Sequence, residues 1–140
     1  MRKVGLTTAL AIIFAFVVGA IAPAAEAQRP DRIKIGATLA ITGRFSAEWG
    51  PAVVDFMKGW EKLVNEGGGV FVREYNARLP IQLLIYDDES NPDKSVELYE
   101  KLAAVDKVHL FLGPASSPIT LRASTVAERL KIPMLLVEAN

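Results

Sequence analysis

Pro80-Ile81-Gln82-Leu83-Leu84-Ile85-Tyr86-Asp87-Asp88-Glu89-Ser90-Asn91-Pro92 is one apolar run that stops on three acids and passes into a helix start. A short, nearly unbroken apolar run bounded by turn residues is the pattern of a strand buried on both faces. Asn91 can accept backbone N–H bonds at a helix N-cap, and Pro92 fits the first helical position, where an N–H is not needed. Val96, Tyr99, Leu102 and Ala103 then recur at helical spacing and give that helix its buried stripe. Strand, acidic turn and capped helix together make one β-α step.

The same step repeats on either side. Upstream, Ile33 to Ile41 is a β-rich run ending in the turn signal Thr42-Gly43. Pro51 opens a helical pattern with Val53, Phe56, Met57, Trp60, Leu63 and Val64 on one face, and Gly67-Gly68-Gly69 ends it. This reading places Trp60 in the core. Downstream, Val108 to Leu112 is a third strand closed by Gly113-Pro114. Ser117-Pro118 repeats the cap-then-proline device, and Ile119, Ala123, Val126, Ala127 and Leu130 mark a third amphipathic helix. Pro133 to Val137 is a fourth strand. The order β-α-β-α-β-α-β predicts a doubly wound α/β fold on a parallel sheet with both faces covered. Ligands in such sheets sit beyond the carboxyl ends of the strands. The segments expected there are 42–50, 87–91, 113–117 and 138–140. A strand so close to the C-terminus lacks a following helix, so the sequence reads as the first part of a larger domain.

The first 27 residues read as a targeting segment. Met1-Arg2-Lys3 supplies a positive start, Val4 to Ile21 carries no charge, and Ala25-Glu26-Ala27 has the small residues of a signal-peptidase site. The apolar run approaches the roughly 20 residues that span a bilayer, but Pro23 and the Ala-x-Ala ending favour cleavage after Ala27. The expected organisation is therefore a signal peptide over 1–27 and a folded region over 28–140. Of 16 basic and 16 acidic residues, that segment removes Arg2, Lys3 and Glu26, leaving a net charge of about −1. A balanced charge argues against nucleic acid as a partner. The chain has no cysteine, which excludes disulfides, thiolate zinc sites and a lipidated cysteine.

Other chemistry-bearing residues have simpler readings. Asp87-Asp88-Glu89 could suggest Mg²⁺ or Ca²⁺, but neighbouring strand residues point to opposite faces, and acids beside Asn91-Pro92 suit a turn and a helix N-terminus. The single histidine, His109, lies in an apolar strand with no Cys, Ser or second His beside it, as a packed or edge-strand residue would. Gly67-Gly68-Gly69 follows a helix and lacks the lysine of a phosphate loop. An enzyme would need a nucleophile–base pair or paired carboxylates with separated roles. The sequence presents neither, and no cofactor or metal is implied. Ser117 admits two readings: an N-cap before Pro118, or a hydroxyl beside free N–H groups that stabilise an anion. Trp49, next to Gly50 before a helix, suits either a hydrophobic staple or the wall of an apolar pocket.

The sequence resembles the branched-chain amino-acid-binding family of ABC-transporter receptors. The pieces that carry the resemblance are Ile33-Lys34-Ile35-Gly36, Thr42-Gly43, Trp49-Gly50, Asn65-Glu66-Gly67-Gly68-Gly69-Val70, Tyr86 to Pro92, Gly113-Pro114-Ala115-Ser116-Ser117 and Lys131-Ile132-Pro133-Met134. They occur in the family's order and spacing and cover essentially the whole region after residue 27. The resemblance implies the first part of the N-terminal lobe of a type I periplasmic binding protein, with the second lobe absent from this sequence. It implies a receptor that closes two lobes on a small solute, such as an amino acid, amide or aromatic acid, and delivers it to a membrane permease. It implies a periplasmic location and a monomer at full length. A single lobe is expected to hold such a solute only weakly. An extracellular sensing domain of the same fold is the alternative, and an exported α/β enzyme a more distant one. By resemblance, Ser117, with Ser116 beside it, binds the ligand's carboxylate and Trp49 covers the ligand. Asn140 stands where relatives place a hydroxyl. Glu138 departs from the family's small residues, so it could instead meet an amine.

Overall fold

The computed structural model describes residues 29–136. The expected signal peptide, the end of the fourth strand at Val137, and Glu138 and Asn140 lie outside the described residues. Four strands form one parallel sheet: β1 (Ile33–Leu39), β4 (Ile81–Asp87), β5 (Leu110–Leu112) and β6 (Met134–Leu135), in spatial order β4-β1-β5-β6. β1 is central. It pairs with β4 from Ile33↔Ile81 to Leu39↔Asp87, and with β5 from Ile35↔Leu110 to Ala37↔Leu112. The helices between them are α1 (Ser46–Trp49), α2 (Pro51–Glu66), α3 (Pro92–Ala104) and α4 (Ser117–Leu130). The expected β-α alternation is therefore present. Added to it is an antiparallel hairpin, β2 (Val70–Val72) and β3 (Ala77–Leu79), turning through Asn76 at φ 45°.

The apolar strands divide by the period of two that a pleated chain imposes. On one face Ile35, Ile81 and Leu83 form a core patch with Ile33, Ile85, Leu110 and Leu112, met by Met57 and Val64 of α2. On the other, Leu84, Tyr86, Phe111 and Met134 face Tyr99 and Leu102 of α3 and Ala123, Val126 and Ala127 of α4. This second core is the larger. Tyr99 and Phe111, both fully buried, meet edge to face with ring centroids 4.9 Å apart, worth about 1 kcal/mol beyond area burial. Gly36 lets α3 approach closely, since a Cβ there would lie 3.0 Å from both methyl carbons of Leu102.

α2 corrects the sequence reading. None of its residues is buried: Phe56 is 75% exposed, Leu63 69% and Trp60 40%. The cause is the sheet edge. β4 is an outer strand whose backbone groups on that side need partners, and the polar residues of α2 provide them. Leu83 N donates to Glu61 Oε1 at 2.8 Å, and Lys58 Nζ donates to Leu83 O at 2.9 Å. Ile81 N donates to Asn65 Oδ1 at 2.8 Å, and Asn65 Nδ2 donates to Ile81 O at 2.9 Å. Turning Lys58, Glu61 and Asn65 to the edge leaves only Met57 and Val64 on the core patch and rotates Phe56, Trp60 and Leu63 outward. His109 is exposed, with its Nδ1 accepting from Lys34 N at 3.0 Å. Among the described residues no helix is long and apolar enough to cross a membrane.

Candidate functional site

The chain leaves β1 in one direction to reach β4, then crosses back to β5 on the other side of β1. The strand order therefore reverses between β1 and β5, and open sheets of this kind take ligands at the carboxyl ends beside such a reversal point. Two connections border it: residues 40–50 after β1, and 113–117 after β5.

The first connection is fastened to the turn after β4. Asp87 Oδ2 accepts from Thr42 Oγ1 at 2.7 Å and its Oδ1 accepts from Thr42 N at 3.1 Å. Ser90 Oγ donates to Thr42 O and accepts from Phe45 N. Gly43, at φ 88°, fits where a Cβ would lie 2.3 Å from Glu89 O. Asp88 is fully buried; its Oδ1 accepts from Ser90 N at 2.9 Å and its Oδ2 from Thr38 Oγ1 at 3.0 Å. Burial raises the pKa of Asp88, with the neighbouring Asp87 charge adding to the rise against the Thr38 and Ser90 hydrogen bonds. Asp87 goes the other way: partial burial is outweighed by the bonds from Thr42 and Glu89 N, so its pKa is lowered. The acidic run is thus a turn and a fastener. Among the described residues no group of three or more metal-ligating side chains is assembled. The helix cap expected at Asn91 is formed, its side chain accepting from Asp93 N and Lys94 N.

The second connection is different. Ser117 is the first helical residue of α4, so the cap position falls to Ser116, and neither hydroxyl makes a capping bond. This corrects the cap reading of Ser117. Both hydroxyl oxygens are buried and have no hydrogen-bond partner among the described residues. Ser116 also has φ 71° and ψ 142°, a conformation that costs a non-glycine residue about 1–3 kcal/mol and clusters at functional sites. The first intrahelical bond is Thr120 N to Ser116 O at 3.0 Å. The N–H groups of Ser117 and Ile119 precede that bond, and Pro118 has none. Two unpaired hydroxyls thus stand at a helix N-terminus with free donors, an arrangement suited to an oxyanion.

The loop that carries them is pinned elsewhere. Gly113 N donates to Leu135 O at 2.8 Å, and the buried Thr120 Oγ1 donates to Pro114 O at 3.1 Å. Behind it, Tyr99 Oη donates to Leu112 O and accepts from Thr38 N at 3.4 Å, while Thr38 Oγ1 and Ser95 Oγ lie 2.8 Å apart. Sequence reasoning took Tyr99 only as packing and passed over Thr38, Ser95 and Thr120. The available signal was polar side chains inside otherwise apolar stripes. Trp49 ends α1 on the connection after β1, half-buried and belonging to neither core patch. Ser116 and Ser117 thus share one junction, and Trp49 lies on the other connection beside the reversal point.

An open parallel sheet with this strand order, reversed beside β1 and joined by helices, defines a doubly wound α/β fold. The chain belongs to the periplasmic binding protein family, whose profile matches residues 32–139. Solved structures share the fold. LivJ, a branched-chain amino-acid transporter substrate-binding protein from Streptococcus pneumoniae in complex with isoleucine, is 24% identical with a TM-score of 0.67, over 78% of this chain and 29% of that one. A solute-binding protein of an ABC transporter from Rhodopseudomonas palustris, in complex with 3,4-dihydroxybenzoic acid, is 22% identical at 0.62, over 79% and 28%. A further R. palustris solute-binding protein, in complex with benzoate, is 27% identical at 0.58, over 75% and 27%. The chain spans less than a third of the length of each. The fold is that of a type I periplasmic binding protein lobe, as the resemblance implied.

Proposed function

We propose that this chain supplies the first part of the N-terminal lobe of a periplasmic solute receptor for an ABC importer, and that Ser116 and Ser117 receive the carboxylate of an amino acid or aromatic acid. The observation that carries the reading is the pair of buried, unpartnered hydroxyls at the open N-terminus of α4, set at the reversal point of the sheet. A hydroxyl oxygen held away from water without a partner costs free energy, and an arriving carboxylate would recover it. The solved relatives holding isoleucine and benzoate support a carboxylate. Trp49 forms an apolar wall in this reading, and Glu138 and Asn140 meet the rest of the solute.

Binding rather than turnover is the proposed role, because the groups an enzyme would use are engaged in the fold. Asp87 and Asp88 fasten loops, and His109 accepts a backbone N–H from β1. The export reading adds cleavage after Ala27, a periplasmic monomer and delivery to a membrane permease. The test uses the protein as its gene encodes it, screened by thermal shift and calorimetry against isoleucine, benzoate, and their amides isoleucinamide and benzamide. The expected result is a raised melting temperature with an acid and at least a tenfold weaker response to its amide. Equal binding of acid and amide would sink the carboxylate assignment. Intact-mass analysis of the exported protein should show Gln28 as its first residue.

A further inference from the structure

The pairing of β1 with β5 ends at Ala37↔Leu112, and the Tyr99 hydroxyl lies at that last rung. It accepts from Thr38 N and donates to Leu112 O. Leu112 is the residue from which the Gly113–Ser117 loop departs. The phenol is fully buried, and burial holds its pKa well above the ordinary 10.0, so the group stays protonated and remains a donor. On its far side Thr38 Oγ1 joins Ser95 and Asp88, and Asp88 holds Ser90, which holds Thr42 and Phe45. A continuous chain of hydrogen bonds thus runs beneath the sheet end, from the connection after β1 to the root of the serine loop. Packing alone does not require it. The Tyr99 ring already buries its apolar surface against Phe111, and a phenylalanine would serve that purpose.

We infer that Tyr99 is a positioning residue: its hydroxyl fixes the end of β5 and thereby presets Ser116 and Ser117 for the ligand. The inference rests on the carboxylate reading for its ligand arm only. The substitution Tyr99→Phe keeps the ring and removes the two hydrogen bonds. In the ligand-free full-length protein, hydrogen exchange of the bonded amides at the two ends of the loop, Gly113 and Thr120, should quicken about tenfold, while amides of β4 and the middle of α4 keep their protection. Affinity of the folded protein for whichever of isoleucine or benzoate the wild type binds, titrated well below the melting temperature, should fall about tenfold. A merely structural role would raise exchange throughout the α3–β5 core and leave the affinity of the folded fraction intact. That outcome overturns the inference, as does unchanged exchange in the loop or a Tyr99→Phe protein that does not fold. A wild type that binds neither acid defeats the carboxylate reading, and the exchange measurement still decides the role of Tyr99. The wild type also gives a variant-free check. The Tyr99 hydroxyl proton, buried and bonded to Leu112 O, should exchange slowly enough to give its own NMR resonance, and a hydroxyl exchanging freely with water overturns the inference.

Discussion

Replacing Ser117 by alanine should move stability and affinity in opposite directions, which few substitutions do. The side-chain oxygen is buried and has no hydrogen-bond partner among the described residues. Leaving a buried hydroxyl unsatisfied costs about 1–3 kcal/mol, so its removal should leave the ligand-free protein unchanged or stabilise it by up to about 1 kcal/mol. The same oxygen, when it donates to a carboxylate, makes a hydrogen bond to a charged group worth about 1.5–3 kcal/mol. At 1.4 kcal/mol per factor of ten, affinity should fall by roughly 10- to 150-fold. Urea denaturation of ligand-free protein reads the first quantity and titration calorimetry the second. A Ser117→Ala protein that loses more than about 1 kcal/mol of stability while binding as tightly as wild type would refute the reasoning. The hydroxyl would then serve the fold and not the ligand.

Three further outcomes follow from the same geometry. Ser116→Gly should stabilise the ligand-free protein by about 1 kcal/mol, because glycine adopts φ 71° without strain; a lower denaturant midpoint would contradict this. Asn65→Ala should cost about 1–3 kcal/mol in urea denaturation, since it strips Ile81 N and O of their partners at the sheet edge. An unchanged midpoint would mean that water replaces the amide without loss. For Asp88 the pH dependence carries a sign: its folded pKa is raised above the ordinary 3.8, so the native state binds the proton more tightly than the unfolded chain. The stability it contributes is therefore full below about that value and is lost as pH rises through the raised one. Stability of Asp88→Asn relative to wild type should accordingly improve as pH is raised from about 3 to 7 in parallel denaturation series, and a difference that is flat or shrinks with pH would contradict the assignment. Asp87, lowered by its bonds to Thr42 and Glu89 N, acts in the opposite sense at the acid end and is common to both proteins.

Much of the sheet was legible because its strands are apolar runs with clear ends. Ile81 to Tyr86 between Pro80 and the acids could be read from composition alone, and Asn91-Pro92 gave the start of α3 to the residue. The β2–β3 hairpin was not legible, because its three-residue strands hold Arg78 and surround a turn of Arg73, Glu74 and Asn76, too short and too mixed for a period. The orientation of α2 failed for another reason. A helical stripe of Val53, Phe56, Trp60 and Leu63 is ordinarily the buried face, but here the backbone needs of an edge strand compete with apolar burial and decide the rotation. At the candidate site, Ser117 and its neighbour Ser116 were marked by their place at a strand end, and their ligand-binding reading came from the family resemblance. Their lack of partners and the strain at Ser116 are three-dimensional facts that no residue pattern carries. The hydroxyl of Tyr99 was hidden by its ring, since a tyrosine on an apolar stripe is accounted for by packing before its oxygen is considered.

The two β-α junctions beside β1 share a polar residue followed by a proline at the helix start, Asn91-Pro92 and Ser117-Pro118, and end in opposite states. At β4–α3 the turn is closed: Asn91 caps the helix, Asp87 and Asp88 take up the neighbouring N–H groups, and Lys94 pairs with Glu89. At β5–α4 the residues that could have capped the helix, Ser116 and Ser117, leave their hydroxyls unspent while Thr120 and Tyr99 secure the backbone around them. Topology accounts for the difference. β4 is an outer strand, away from the reversal point, so nothing is gained by leaving its turn open, and the turn is used to hold the connection after β1. β5 borders the reversal point, the place where open sheets of this kind take ligands. Hydrogen-bonding capacity left open at that one junction among the described residues, and used in full at its neighbour, is the contrast on which the proposed carboxylate site rests.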